Sequence, residues 1–183
     1  MKVVTIKKGK HAPGINFLGL FPIRLGRLKK IEIEFRFSEE SKYLLPGVDQ
    51  QDWNKLGGLV FNPFKRSKDT ILGGWRYNPL TGLFSVTAYQ NDKYKQNSGY
   101  GSGQALAHYE PGQRGKIEIR KSGKDYYYRF FKVVESEWKE LQAIEVKKTI
   151  RKGFFFAFKS GVWFGGNNAA PNKIKFEHEI KYK

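Results

Sequence analysis

Apolar and polar residues of this chain alternate with a period of two, and almost no stretch has the period of a helix. From Lys30 to Phe37 every second residue is apolar, and the residues between them are charged. This pattern predicts a strand with one face in a core and one face in solvent. The alternation therefore restricts the chain to an all-β fold.

Turn signals separate the apolar runs. The segments Asn78-Pro79-Leu80-Thr81-Gly82 and Ser122-Gly123-Lys124 each join two runs and predict hairpins. Since no helix is predicted to cover a sheet, we expect two antiparallel sheets packed face to face. The predicted strands are 3–6, 30–37, 56–61, 70–77, 83–90, 116–121, 125–134, 143–150, 153–158 and 173–182.

The segment from Lys152 to Lys183 carries the densest aromatic run. From Gly153 to Phe158 apolar residues occupy both faces, which predicts a central strand that is covered on both sides. The run from Lys173 to Tyr182 predicts a final strand with Glu177 and Glu179 on its exposed face. The Gly-Gly-Asn-Asn corner lies between these two strands, and we predict that it contributes to a binding site.

The length of 183 residues suits one domain with a substantial core, and we predict a single domain over residues 1–183. The chain has no cysteine and three scattered histidines, so we predict no metal and no cofactor. We find no export signal and no membrane-spanning run. The sequence therefore predicts no membrane partner and a cytoplasmic or virion location.

The net charge is +17, from 34 Lys and Arg against 17 Asp and Glu. Such an excess favours acidic partners, namely a polysaccharide, an acidic protein surface or nucleic acid. The charges occur in short pairs rather than in one basic tract, which is also typical of a solvated surface. Nucleic acid ranks below the other partners, because no stacking motif with interleaved arginines is present.

Three stretches resemble a known family, and one of them, Gly74-Trp75-Arg76-Tyr77-Asn78-Pro79 with Tyr89 after the turn, resembles uncharacterised bacterial proteins of the same fold. The segment Asp52-Trp53-Asn54-Lys55-Leu56-Gly57-Gly58-Leu59 resembles the Lys-Leu-(Pro/Gly)-Gly-Leu segment of concanavalin A-like jelly rolls, notably polysaccharide lyases. Trp163-Phe164-Gly165-Gly166, followed by Ala170-Pro171, resembles the Phe-Phe-Gly-Gly ending of the same proteins and of uncharacterised bacterial or phage members. The resemblance implies a two-sheet antiparallel jelly-roll sandwich whose concave face commonly meets glycans.

The resemblance also raises the question of catalysis. Lyases of this architecture neutralise a uronate carboxylate and remove the C5 proton with a Tyr or a His. The candidates here are Arg76, Gln104, His108 and Tyr109, but the Gln-x-His pair and the tyrosine-rich signature of alginate lyases are missing. Nothing matches the carboxylate pattern of glucanases either. A lyase acting on an acidic polysaccharide is therefore an alternative only.

The leading interpretation is a non-catalytic binding module for a glycan or an acidic partner surface. Aromatic residues form platforms for sugar rings, and amides and cations bind polar groups. The predicted site residues are Trp75, Arg76, Tyr77, Tyr89, Trp163, Asn167 and Asn168. An alternative of nearly equal weight is that Trp75 and Trp163 belong to the hydrophobic core. A further alternative is a virion or assembly component, such as a phage capsid or tail protein, or a homo-oligomer.

Overall fold

The computed structural model describes residues 1–14, 21–62, 69–92, 95–96, 105–123, 125–147, 155–165 and 168–183. Two short 3₁₀ helices, Glu39–Ser41 and Gly47–Gln51, interrupt an otherwise β structure. No helix in these residues is long and apolar enough to cross a membrane. The described strands are β1 (Lys2–Ile6), β2 (Pro22–Arg24), β3 (Lys30–Phe37), β4 (Asn54–Val60), β5 (Thr70–Asn78), β6 (Leu83–Asp92), β7 (Lys95–Gln96), β8 (Ala107–Tyr109), β9 (Arg114–Ser122), β10 (Asp125–Val134), β11 (Glu137–Lys147), β12 (Phe156–Ser160) and β13 (Ile174–Tyr182).

The strands form two antiparallel sheets, as the alternation predicts. The six-stranded sheet has the order β1-β13-β3-β9-β10-β11. The seven-stranded sheet has the order β2-β12-β4-β5-β6-β7, and β8 pairs with β6 beside β7. Strand β13 lies between β1 and β3, so the last strand of the chain returns beside the first.

The core lies between the two sheets. In β3 the residues Ile31, Ile33, Phe35 and Phe37 all point inward and are buried, which confirms the predicted alternation. Phe37 stacks on Phe84 with ring centroids 4.5 Å apart, and Trp75 lies 4.9 Å from Phe37. These rings are a large share of the buried apolar surface that stabilises the sandwich.

The aromatic strand differs from the prediction. Strand β12 lies between β2 and β4, so it is internal to its sheet, but β2 is an edge strand of only three residues. Phe155 is 74% exposed and Phe156 is 43% exposed, whereas Ala157 is buried. The predicted burial on both faces is therefore wrong. Among the described residues, Phe156 is covered by the short edge strand β2 and by the side chain of Arg24, which leave its ring partly exposed. Phe154 lies outside the described residues.

Two further strands correct the sequence interpretation. Strand β11 begins at Glu137, six residues before the start of the strand predicted over 143–150. The turn before it uses Glu135 and Ser136 with φ of 51° and 71°, a pair of values typical of a type I′ hairpin. In β13 the residues Glu177 and Glu179 face outward as predicted, while His178 between them is buried in the core.

Candidate functional site

The candidate site lies on the outer face of the seven-stranded sheet, the face turned away from the core. Residues directly opposite each other on antiparallel strands share a face. Trp163, Lys55, Gly74 and Thr87 therefore form one row across this outer face. Arg76, Ser85 and His108 form a second row beside it. A separate apolar cluster lines the same face, formed by Trp53, Val60, Leu72 and Tyr89.

A β-bulge in β4 determines which residues reach this face. The register of β4 against β5 shifts between Lys55 and Gly57. Gly58 has a φ of +140°, and a β-carbon there would lie 2.3 Å from the carbonyl oxygen of Ile71. Only glycine tolerates both conditions. The Gly-Gly pair of the family-like segment therefore permits the bulge after Lys55.

Lys55 is the cation at the centre of the outer face. Its Nζ donates hydrogen bonds to the carbonyl oxygens of Trp53 at 2.7 Å and Gly165 at 3.3 Å, and lies 4.8 Å from the ring centroid of Tyr89. Within the described part of the chain, no carboxylate lies at ion-pair distance from this ammonium group. Burial lowers the pKa of Lys55 to about 8, and the negative charge of Asp52 opposes this shift.

Arg76 extends the positive charge along the same face. Its guanidinium lies 4.4 Å from the ring centroid of Trp53, and Nη1 donates a 3.0 Å hydrogen bond to the carbonyl oxygen of Gln51. Partial burial lowers the pKa of Arg76, although arginine stays charged at any physiological pH. Arg76 therefore lies over the ring of Trp53, while Lys55 binds the backbone carbonyl oxygen of the same residue.

Tyr89 and Gly74 shape the surface between these cations. The hydroxyl of Tyr89 accepts a 3.2 Å hydrogen bond from the side chain of Asn91, and burial raises the pKa of this hydroxyl. A β-carbon on Gly74 would lie 2.9 Å from Thr87 Cγ2 and 3.2 Å from Tyr89 Cβ. The glycine therefore allows Thr87 and Tyr89 to pack across the centre of the face.

The second row places a histidine near Arg76. His108 is exposed on β8, and its Nδ1 lies 3.2 Å from the Oγ of the buried Ser85. Ser85 is the cross-strand neighbour of Arg76. The row therefore contains a cation that suits an acidic group and, two strands away, an imidazole that is able to accept a proton.

The Trp163 corner borders the first row. The backbones of Trp163 and Lys55 exchange hydrogen bonds of 2.7 and 3.0 Å, and the Trp163 ring is 36% exposed. His11 stacks on this ring at 5.2 Å with an interplanar angle of 12°. The His11 Nδ1 also lies 2.9 Å from the carbonyl oxygen of Phe164, which fixes the amino-terminal segment against the corner.

The structure brings together three of the predicted site residues and separates the others. Arg76, Tyr89 and Trp163 lie on the outer face. Trp75 and Tyr77 lie in the core, because they alternate with Arg76 along β5, and their prediction as surface platforms is wrong. Asn168 donates a 2.6 Å hydrogen bond to Asp49, so it holds the corner to a 3₁₀ helix. Asn167 lies outside the described residues.

The sequence interpretation missed Lys55 and Trp53 as site residues. Both belong to the segment that carries the family resemblance, which was interpreted for fold alone. Of the lyase candidates, Tyr109 is buried in the core and donates a hydrogen bond to the carbonyl oxygen of Phe131 at 3.1 Å, so it is unavailable as a base. Gln104 lies outside the described residues. Among the described residues, no group of three or more His, Asp or Glu side chains is placed to hold a metal ion.

Comparisons with known proteins identify the fold. No protein-family model and no curated protein sequence matches the chain. The structure is similar to an alginate lyase from Klebsiella pneumoniae, with a TM-score of 0.55 and 13% identity over 85% of this chain and 60% of the lyase. It is also similar to an alginate lyase from Pseudomonas aeruginosa, with a TM-score of 0.52 and 13% identity over 89% of this chain and 68% of that one.

The fold is a concanavalin A-like jelly roll. These similarities confirm the predicted two-sheet antiparallel sandwich. Because the identities are 13%, they show the fold and no activity. The chain spans 60% of the length of the Klebsiella enzyme.

Proposed function

We propose that the protein is a non-catalytic jelly-roll binding module for an acidic glycan, and that the ligand binds on the outer face of the seven-stranded sheet. The observation that supports this proposal is Lys55. Its ammonium group is partly desolvated beside Tyr89 and is bound to two neutral carbonyl oxygens rather than to a carboxylate. A carboxylate or sulfate of a ligand would restore the electrostatic stabilisation that burial removes.

The surroundings of Lys55 favour a sugar over a simple anion. The ring of Trp163, which is 36% exposed and stacks on His11, lies in the same row and would provide an apolar contact for a pyranose ring. Arg76 provides a planar guanidinium that is able to bind a carboxylate through two hydrogen bonds. Lys55 binds the backbone carbonyl oxygen of Trp53 and Arg76 lies over the Trp53 ring, so the two cations are close enough to bind acidic groups of a single glycan chain.

The test is isothermal titration calorimetry with acidic oligosaccharides from alginate and glucuronan, and with neutral dextran as the uncharged control. We expect binding of the acidic ligands alone, and a loss of at least tenfold in affinity in Lys55→Met and Arg76→Met. Affinity should also fall as the pH rises through about 8, since Lys55 then loses its proton.

Lys159→Met is the matched control. Lys159 also lies over a tyrosine ring, 5.0 Å from the centroid of Tyr182, but it belongs to β12 and contributes nothing to the two rows. If all three variants weaken binding equally, only the diffuse positive charge is at work. Equal affinity for dextran and the acidic ligands would contradict the proposal as well.

A polysaccharide lyase is the second candidate, and the row from Arg76 to His108 favours it. In this reaction Arg76 would neutralise the uronate carboxylate, and the exposed His108 would remove the C5 proton. Incubation with alginate, glucuronan or heparin would then produce a 4,5-unsaturated uronate with a new ultraviolet absorbance. No absorbance across the pH range, or an unchanged rate in His108→Gln, would remove this candidate. The virion or assembly role stays a prediction.

A further inference from the structure

We propose a second interaction surface, at the β2–β12 edge of the seven-stranded sheet, that docks on an anionic lipid membrane. This edge surface is distinct from the outer-face rows. It consists of exposed phenylalanines and of cations that have no carboxylate partner among the described residues: Phe21, Arg24, Arg27, Lys29, Lys121, Phe155 and Phe156.

The apolar part of the edge surface consists of three phenylalanines that are exposed to solvent. Phe21 is 57% exposed, and Phe155 and Phe156 are 74% and 43% exposed. Backbone hydrogen bonds hold all three on one two-stranded ribbon: Leu25 N donates to Phe155 O, and Lys159 N donates to Phe21 O. Large apolar side chains grouped in this way are typical of an interaction surface.

Among the residues that the structure describes, the cations of the edge surface have no carboxylate partner, whereas the arginines of the six-stranded sheet each have one. Arg24 lies over the Phe156 ring at 5.8 Å, and Lys121 N bonds to Lys29 O, which brings Lys29 and Lys121 together. In the described residues, Arg27, Lys29 and Lys121 have no carboxylate at ion-pair distance.

The outer face of the six-stranded sheet shows the contrast. Its arginines each contact a carboxylate, in the pairs Arg36–Glu177, Arg114–Glu34, Arg120–Glu118 and Arg129–Glu140. Lys30 contacts Glu32 at 2.5 Å and Glu118 at 3.6 Å. The arginines of this face are therefore neutralised by carboxylates, in contrast to Arg24 and Arg27 of the edge surface.

The directions of the phenylalanine side chains favour a membrane over a nucleic acid. Successive residues of a strand point to opposite faces, so Phe155 and Phe156 lie on opposite sides of the ribbon. Rings on opposite sides cannot stack successive bases along one groove. A bilayer approached by the edge of the sheet would take both rings into the headgroup region, while the cations contact anionic headgroups.

The test is sedimentation with vesicles of phosphatidylcholine containing 30% phosphatidylserine, compared with phosphatidylcholine alone. We expect binding to the anionic vesicles and little binding to the neutral ones. The substitutions Phe155→Ser and Phe156→Ser together should lower the partition coefficient at least tenfold. Each of Arg24→Gln, Arg27→Gln and Lys29→Gln should lower it about fivefold.

Matched controls use equally exposed residues elsewhere. Leu80 is 94% exposed at the β5–β6 turn, and Arg36 lies in an ion pair, so Leu80→Ser and Arg36→Gln should bind vesicles like the unsubstituted protein. Phe155→Trp gives a second readout that does not depend on loss of binding, because brominated lipids should quench its fluorescence.

Several results would overturn the proposal. They are equal binding to neutral vesicles, no binding to either kind, or unchanged partition in the edge variants. Binding of single-stranded oligonucleotides that the edge variants abolish, without vesicle binding, would assign the surface to nucleic acid instead. Concentration-dependent dimerisation lost in the same variants would assign it to a second copy. Lys55→Met should keep vesicle binding, which separates this surface from the proposed glycan site.

Discussion

Lys55 should lower the stability of the fold at neutral pH, and Lys55→Met should reveal the size of this effect. Burial lowers the pKa of Lys55 in the folded protein to about 8 from its ordinary value of 10.5, so the unfolded chain binds more protons between these pH values. Stability therefore rises with pH across this window. The penalty is about 3 kcal/mol at pH 7, and about 2.5 kcal/mol of it is relieved by pH 10. Methionine keeps the apolar stem of the side chain without the charge.

Urea unfolding of both proteins at several pH values between 7 and 10 measures this effect. The free energy of unfolding of the unsubstituted protein should gain about 2.5 kcal/mol relative to Lys55→Met over that range. The contributions of other titrating groups are the same in both proteins and cancel when the two free energies of unfolding are subtracted. The loss of the two hydrogen bonds to carbonyl oxygens is a constant offset that does not change with pH. A difference that stays constant within about 0.5 kcal/mol would show that the ammonium group is well solvated, and the argument for an anion site at Lys55 would fail.

Three other substitutions test particular contacts. Burial lowers the pKa of His178 to about 4, so stability should fall by about 2.5 kcal/mol as the pH drops from 6.5 to 4; His178→Leu should remove this slope in acid unfolding curves. Phe156→Ala should cost about 1 kcal/mol in thermal unfolding because the ring is exposed, whereas Phe37→Ala should cost about 3–5 kcal/mol; equal losses would contradict the burial pattern. Asn168→Ala should cost about 1 kcal/mol in the absence of ligand through its lost hydrogen bond to Asp49, and an unchanged melting temperature would argue against a structural role.

The sequence predicts the strands well where one face is buried and the other is wet. Strand β3 follows this rule, since its outward glutamates and arginine leave one arrangement only. Strand β12 breaks it, because a run of aromatic residues indicates a strand but not the size of its neighbours. Phe156 is exposed because its neighbour β2 has only three residues, and the Phe-rich run itself does not predict the length of the neighbouring strand.

The candidate site was predicted in part, for a similar reason. Arg76, Trp75 and Tyr77 are consecutive, and a strand must send Trp75 and Tyr77 to the face opposite Arg76. The sequence alone predicts that Arg76 points to the face opposite Trp75 and Tyr77, but it does not predict which of the two faces is the core. Lys55 was missed because its direction depends on the bulge at Gly57, and a bulge shifts the alternation by one residue.

The ion pairs of the six-stranded sheet have a consequence for how the molecule meets a partner. Because Arg36, Arg114, Arg120 and Arg129 are neutralised in place, that broad face contributes little to the electric field at a distance. The electric field of the +17 net charge therefore originates mainly on the other parts of the surface. The charge distribution is asymmetric, so the molecule has an electric dipole as well as a net charge. A polyanion approaching in dilute salt would rotate the protein before contact, turning the neutral face away from the partner.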